Sequence, residues 1–149
     1  SGLYSLYYEA EKGARSNFTL LDSPITSGGK YIASTQINRG YVTFDVYAPT
    51  TGSYLMWARA LAPSATTSSF QVQVDTQTPI LFDTSGGVYS SLWHWSRLNS
   101  GASPRLLTMT AGWHKLYVLS RDAPFSIDGF LITSDPALTP TDAAFTTLR

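Results

Sequence analysis

Ten carboxylates and two imidazoles are the side chains of this 149-residue chain that could move protons or hold a metal. They are Glu9, Glu11, Asp22, Asp45, Asp75, Asp83, Asp122, Asp128, Asp135 and Asp142, with His94 and His114. Cleaving a glycosidic bond calls for two converging carboxyl groups, one as acid and one as nucleophile or base. Most of these acids fall in turns or on the polar side of alternating segments, where solvation accounts for them. Neither histidine stands in an i, i+4 metal pair or beside a glycine-flanked serine. No Gly-x-Ser-x-Gly elbow, phosphate loop or EF-hand pattern occurs. The absence of cysteine excludes a thiol nucleophile, a thiolate zinc site and a disulfide framework. The titratable groups point away from an enzyme.

Glu9-Ala10-Glu11 places two carboxylates on one side of a strand, where like charges repel unless something positive lies between them. Two readings stand at this point. The pair is solvated beside Lys12 and Lys30, or it holds a hard cation such as Ca²⁺, which takes six to eight oxygen ligands.

The aromatic residues offer a second kind of chemistry. Tyr89, Trp93, His94 and Trp95 follow Gly86-Gly87, and Trp113 follows a later turn. Sugars present C–H faces that stack on indole and phenol rings, while their hydroxyls bond to Asn, Arg and Asp. Trp93 and Trp95 share a face at strand spacing, so core filling competes with an exposed platform, and Trp95 lies deeper in the strand. Trp57 has the same two readings. Arg59 beside it either caps the ring or holds a ligand oxygen.

These residues must be carried by strands. Only 13% of the chain is charged and 13% is aromatic, a composition suited to pleated surfaces rather than long helices. Val42, Phe44 and Val46 alternate with Tyr41, Thr43, Asp45 and Tyr47, and Pro49-Thr50-Thr51-Gly52 turns the chain. Ser53 to Ala60 alternates Tyr54, Met56 and Ala58 against Leu55, Trp57 and Arg59. Strands are also expected over Phe70–Asp75, Leu116–Leu119 and Ser126–Ile132, and loops over Leu61–Ser69, Asp83–Ser91 and Asn99–Pro104. Residues 1–135 read as one domain, and 136–149, with Pro136 and Pro140, as a tail or linker stub. The neutral balance of ten basic and ten acidic residues disfavours nucleic acid and anionic membrane as partners. Ser1-Gly2-Leu3-Tyr4 is not a signal peptide, so the chain is expected to be a module cut from a larger protein.

In order, the chain presents Tyr8-Glu9-Ala10-Glu11, Ser27-Gly28-Gly29-Lys30-Tyr31-Ile32, Gly40-Tyr41-Val42-Thr43-Phe44-Asp45-Val46 and Pro49 to Tyr54. Trp93-His94-Trp95, Ala111-Gly112-Trp113-His114-Lys115-Leu116 and Ser126-Ile127-Asp128 follow. This ordered set, spanning about Tyr7 to about Ser134, resembles the carbohydrate-binding modules of families 6 and 35. The resemblance implies an all-β jelly-roll sandwich that binds oligo- or polysaccharide without catalysis. It further implies a monomer, extracellular or at the cell surface, joined covalently to a catalytic domain. A structural Ca²⁺ would be held by Glu9, Glu11 and Asp128 with carbonyl oxygen near Lys30. In the sugar cleft, Tyr41 and Trp93 would match the two gripping aromatics, and Ser126 would stand where the family has Asn. Arg59, Asp122 and Phe125 are further cleft candidates by loop position. The competing expectation is a spacer or adhesin-type sandwich whose aromatics are all core.

Overall fold

The structure is a computed structural model that describes residues 4–23, 29–64, 69–83, 90–100, 103–122 and 125–148. Its strands are β1 (Ser5–Glu9), β2 (Ala14–Ser16), β3 (Phe18–Asp22), β4 (Lys30–Ser34), β5 (Tyr41–Ala48), β6 (Gly52–Ala62) and β7 (Ser69–Val74). β8 (Ile80–Asp83), β9 (Ser90–Arg97), β10 (Asn99–Ser100), β11 (Ser103–Pro104), β12 (Leu107–Met109), β13 (Gly112–Ser120) and β14 (Ser126–Thr133) follow. One turn of 3-10 helix, Ala10–Lys12, and a terminal helix, α1 (Asp142–Leu148), complete the elements.

Two sheets face each other. The larger runs β3-β4-β14-β6-β12, with β1 extending it beside β14 and β9 beside β6. The smaller runs β2-β5-β13-β7-β8. The core between them joins Ile32, Met56, Ala58, Ile127, Phe130 and Ile132 from one sheet to Val42, Phe44, Val46, Phe70, Val72, Leu116 and Val118 from the other. Alternation decides this placement, because successive side chains leave opposite faces of a strand. The all-β sandwich expected from the sequence is what forms.

Three expectations change. The inner set of β6, Tyr54, Met56 and Ala58, faces the core as expected, but Leu55 and Arg59 on its other face are buried as well. Residues 99–104, expected as a loop, contain the β10–β11 pairing. The presumed tail is not free: Phe145 of α1 is only 1% exposed and packs with Tyr7 and Leu131 on the outer face of the larger sheet. Gly129 makes room for it, since a Cβ there would run into the Phe145 ring and the Tyr8 carbonyl. Pro136 and Pro140 interrupted the periodicity, yet seven helical residues after them suffice to bury one aromatic side chain.

Candidate functional site

The outer face of the larger sheet carries a row of functional groups set by strand register. Residues paired directly across an antiparallel ladder share a face. Ser126 on β14 lies opposite Ala33 on β4 and Leu61 on β6. Tyr31 is two residues from Ala33, and Arg59 two from Leu61, so both join that face. On β9, His94 is opposite Ala60 and Trp95 opposite Arg59, which turns Trp93 and Trp95 the same way. The rings of Trp93 and Tyr31 meet edge to face, their centroids 5.1 Å apart at 72°. Trp93 keeps part of its surface open to solvent. Tyr31 follows Gly29-Lys30 in sequence, and only the ladder β4-β14-β6-β9 discloses that it belongs with Trp93.

Arg59 organises this face from below. It is 8% exposed, and its Nη1 donates to Asp128 Oδ2 at 2.8 Å. Its Nε and Nη2 donate to Asp142 Oδ1 and Oδ2 at 2.9 and 3.4 Å. The guanidinium carbon also lies 5.5 Å from the Trp93 ring centroid, within cation–π range. The ring it serves is therefore Trp93 rather than Trp57. With three of its five N–H donors committed to two carboxylates, Arg59 positions the aromatic surface. Asp142 is held below the usual carboxylate range, chiefly by the Arg59 hydrogen bond and further by the Trp95 N–H.

Other candidates lie elsewhere. Tyr41 is 45% exposed, but on the smaller sheet, opposite Ser16 and Leu119, so the structure does not bring it to Trp93. Its position is fixed by Gly40, whose φ of 111° and contact with the Ser16 carbonyl exclude a side chain. Asp122 is a loop lock: its Oδ2 accepts from both the backbone N–H and the hydroxyl of Ser69, at 2.9 and 2.8 Å. Phe125 is a core residue, stacked on Phe70 and edge-on to Phe18. Trp95 anchors α1, through its Nε1–H to Asp142 Oδ1 at 2.9 Å and ring contacts with Tyr7 and Phe145. The Arg97 guanidinium lies over Trp57. The His94 Nδ1–H donates to the Leu92 carbonyl. Trp113 is 71% exposed at the far end of the smaller sheet, edge-on to Tyr47. Tyr89 lies outside the described residues, as do Ser27, Gly28, Gly86 and Gly87.

The acidic group sits at the junction of β1, the 3-10 turn and β14. Glu9 is buried and pairs with Gly129, next to the fully buried Asp128. The turn carrying Glu11 packs against β4 and β14, the strands of Lys30 and Asp128. Burial, the hydrogen bond with Glu9 and the charges of Glu9 and Asp128 push the Glu11 carboxyl up to about 8. Its Oε1 is buried with no hydrogen-bond partner among the described residues. Those residues contain no cluster of three or more acids or imidazoles close enough to hold a metal together. The Lys30 ammonium pairs with Asp22 at 2.6 Å, so only its backbone oxygen is a candidate ligand. The partnerless Glu11 Oε1 beside the carboxylate of Glu9 still suits a hard cation in its chemistry, and the donor set fits Ca²⁺ on that ground.

No family model and no curated protein matches the chain. Solved structures do. A family 35 carbohydrate-binding module from Clostridium thermocellum superposes with a TM-score of 0.66 at 17% identity, covering 87% of this chain and 97% of that one. The C-terminal family 6 module of a marine laminarinase from Zobellia galactanivorans gives 0.67 at 16% identity, covering 88% of this chain and 100% of its own. An exo-β-1,3-galactanase from Phanerochaete chrysosporium, solved with β-1,3-galactotriose, gives 0.68 at 21% identity over 86% of this chain. This chain spans only 29% of that enzyme. The fold of the chain is that of the carbohydrate-binding modules of families 6 and 35.

Proposed function

We propose that this chain is a non-catalytic carbohydrate-binding module whose sugar platform is the Trp93–Tyr31 pair. The observation that carries the reading is the braced geometry of that pair. An indole ring with an open surface is held edge-on by a second ring and from below by a buried guanidinium. Pre-set aromatic surfaces of this kind bind sugar C–H faces without first losing side-chain entropy. Ser126, on the same face, would supply the hydroxyl hydrogen bond. Glu9 and Glu11, with Asp128 and the Lys30 carbonyl nearby, would hold a structural Ca²⁺. The ion would supply positive charge to the carboxylates and tie β1 to the last strand. Open polar sugar sites typically bind at micromolar to millimolar affinity, so the module would gain most as the targeting domain of a covalently attached, extracellular polysaccharide-active enzyme.

The test is isothermal titration of the domain with neutral oligosaccharides chosen from a glycan array, repeated on Trp93→Ala. Selective binding that disappears in the variant, at unchanged melting temperature, supports the platform. A folded wild-type domain that binds nothing on a broad array would return the chain to the spacer reading.

A further inference from the structure

We propose that Asp142, the first residue of α1, is a positioning residue of the sugar platform, so that docking of the terminal helix and occupancy of Trp93 strengthen each other. The role rests on the reading of Trp93 as that platform and concerns what sets its affinity. Asp142 lies past Ser134, outside the stretch whose motifs resemble the family. The helix does not need this carboxylate to stay on the sheet. Phe145 is buried against Tyr7 and Leu131, and the Tyr7 hydroxyl bonds to the Thr141 carbonyl. Thr141 caps the helix, its Oγ1 accepting from the Ala144 N–H at 3.1 Å.

Asp142 instead spends both oxygens on the neighbours of Trp93, although its side chain is 65% exposed. Its Oδ1 accepts from Arg59 Nε and from Trp95 Nε1, each at 2.9 Å, and its Oδ2 from Arg59 Nη2 at 3.4 Å. Trp95 stands two residues from Trp93 on β9, and the Arg59 guanidinium carbon lies 5.5 Å from the Trp93 ring centroid. A guanidinium is a rigid plane. Asp128 holds one edge of it through Nη1, and Asp142 holds another through Nε and Nη2. With both edges held, the plane and its distance from the ring are set. With one held, the group can turn about its remaining bond. A cation–π contact depends on where the cation lies over the ring, so a change at Asp142 reaches Trp93 through Arg59. Coupling between two sites is reciprocal: a helix that orders the ring raises glycan affinity, and a glycan that orders the ring tightens the helix.

The experiment compares wild type with Asp142→Asn, which leaves the Thr141 cap and Phe145 in place, below the melting range of both. Two readouts are taken: titration with the neutral oligosaccharide that binds wild type, and fluorine NMR of the fluorotryptophan-labelled domain without ligand, its lines assigned by single Trp→Phe variants. Asp142→Asn is expected to weaken glycan binding about two- to fivefold, the scale of an exposed cation–π contact. It should also shift the Trp93 line. A merely structural role in seating the helix would move the line of Trp95, which bonds to Asp142 directly, and leave that of Trp93 in place. The Trp93 shift should persist when Asp142→Asn is made in a Trp95→Phe background, where the indole N–H route is gone. In wild type, saturating glycan should slow hydrogen exchange at the amides of α1. Unchanged affinity, an unmoved Trp93 line, a shift that vanishes in Trp95→Phe, or helix exchange indifferent to bound glycan each overturns the positioning role and leaves the Trp93 platform standing. A folded wild type that binds no glycan overturns the platform itself, and the coupling with it, whatever the fluorine spectra show.

Discussion

Arg59 and Asp142, 83 residues apart in sequence, are joined by two hydrogen bonds of 2.9 and 3.4 Å that clamp the terminal helix onto the larger sheet. Beside that clamp Phe145 is buried against Tyr7 and Trp95. Phe145→Ala is therefore expected to destabilise the domain by ~3–5 kcal/mol, the usual cost of emptying a buried phenylalanine site. Chemical denaturation would measure it. A change below about 0.5 kcal/mol, as expected of a surface position, would make the segment a tail after all.

The pairing of Trp93 with Tyr31 rather than Tyr41 separates two otherwise similar tyrosines. Tyr31→Ala is expected to weaken glycan binding about two- to twelvefold, the equivalent of an aromatic contact worth ~0.5–1.5 kcal/mol. Tyr41→Ala, on the opposite sheet, should leave binding at the Trp93 face unchanged. Titration of the two variants against the glycan that binds wild type distinguishes them. The reverse pattern would move the platform to the smaller sheet.

Much of this architecture was legible before any coordinates. The alternation in Tyr41–Tyr47 and Phe70–Val74 assigned the core faces of β5 and β7 because each of those strands has one side open to water. The outer face of β6 was not legible. Arg59 is clamped under Asp142 of the terminal helix, and no local period reports what a distant segment will cover. The candidate site divides the same way. Trp93 stood out by residue type, whereas Tyr31 and Asp142 acquire their roles through cross-strand register and a long-range ion pair. Ring chemistry can be read locally, but partners in a sandwich are fixed by topology.

His114 and Asp75 give the fold a pH dependence of definite sign. The His114 Nδ1 meets Asp75 Oδ2 at 2.5 Å and its Nε2 meets the Thr110 carbonyl at 2.6 Å, so both ring nitrogens face acceptors. The Asp75 hydrogen bond, joined by the Thr110 carbonyl, raises the imidazole above its ordinary value. Burial works against the Asp75 carboxylate, but the His114 bond and the Lys115 N–H outweigh it and lower its pKa. A raised histidine stabilises fully below its unfolded pKa of about 6.5 and ceases to do so as pH climbs through the folded value. A lowered aspartate stabilises above about 3.9 and fails as pH falls through its folded value. Between those limits the pair contributes in full. The melting temperature of wild type should accordingly fall above about pH 6.5 by more than that of His114→Gln, measured without divalent cations. Parallel curves for the two proteins would show that the pair carries no net charge interaction.

Glu11 would set a metal-bound form apart from a metal-free one. Burial and the neighbouring Glu9 hold its carboxyl near 8, so without a cation the folded state prefers Glu11 protonated. An acid raised in this way loses folding stability as pH rises from about 4.3 toward its folded value. Glu11→Gln imitates the protonated form and should melt at or above wild type in chelator at pH 7. Bound calcium would reverse the order. At a concentration one hundred times its dissociation constant, it would add about 2.7 kcal/mol to wild type, which at 2–4 °C per kcal/mol for a domain of this size raises the melting temperature by about 5–10 °C. The variant, lacking one charged ligand, should gain little. Scanning calorimetry of both proteins with Ca²⁺ and with chelator reads the crossing directly. Melting curves of wild type that coincide in the two conditions would mean that the glutamate pair shares a proton rather than a metal.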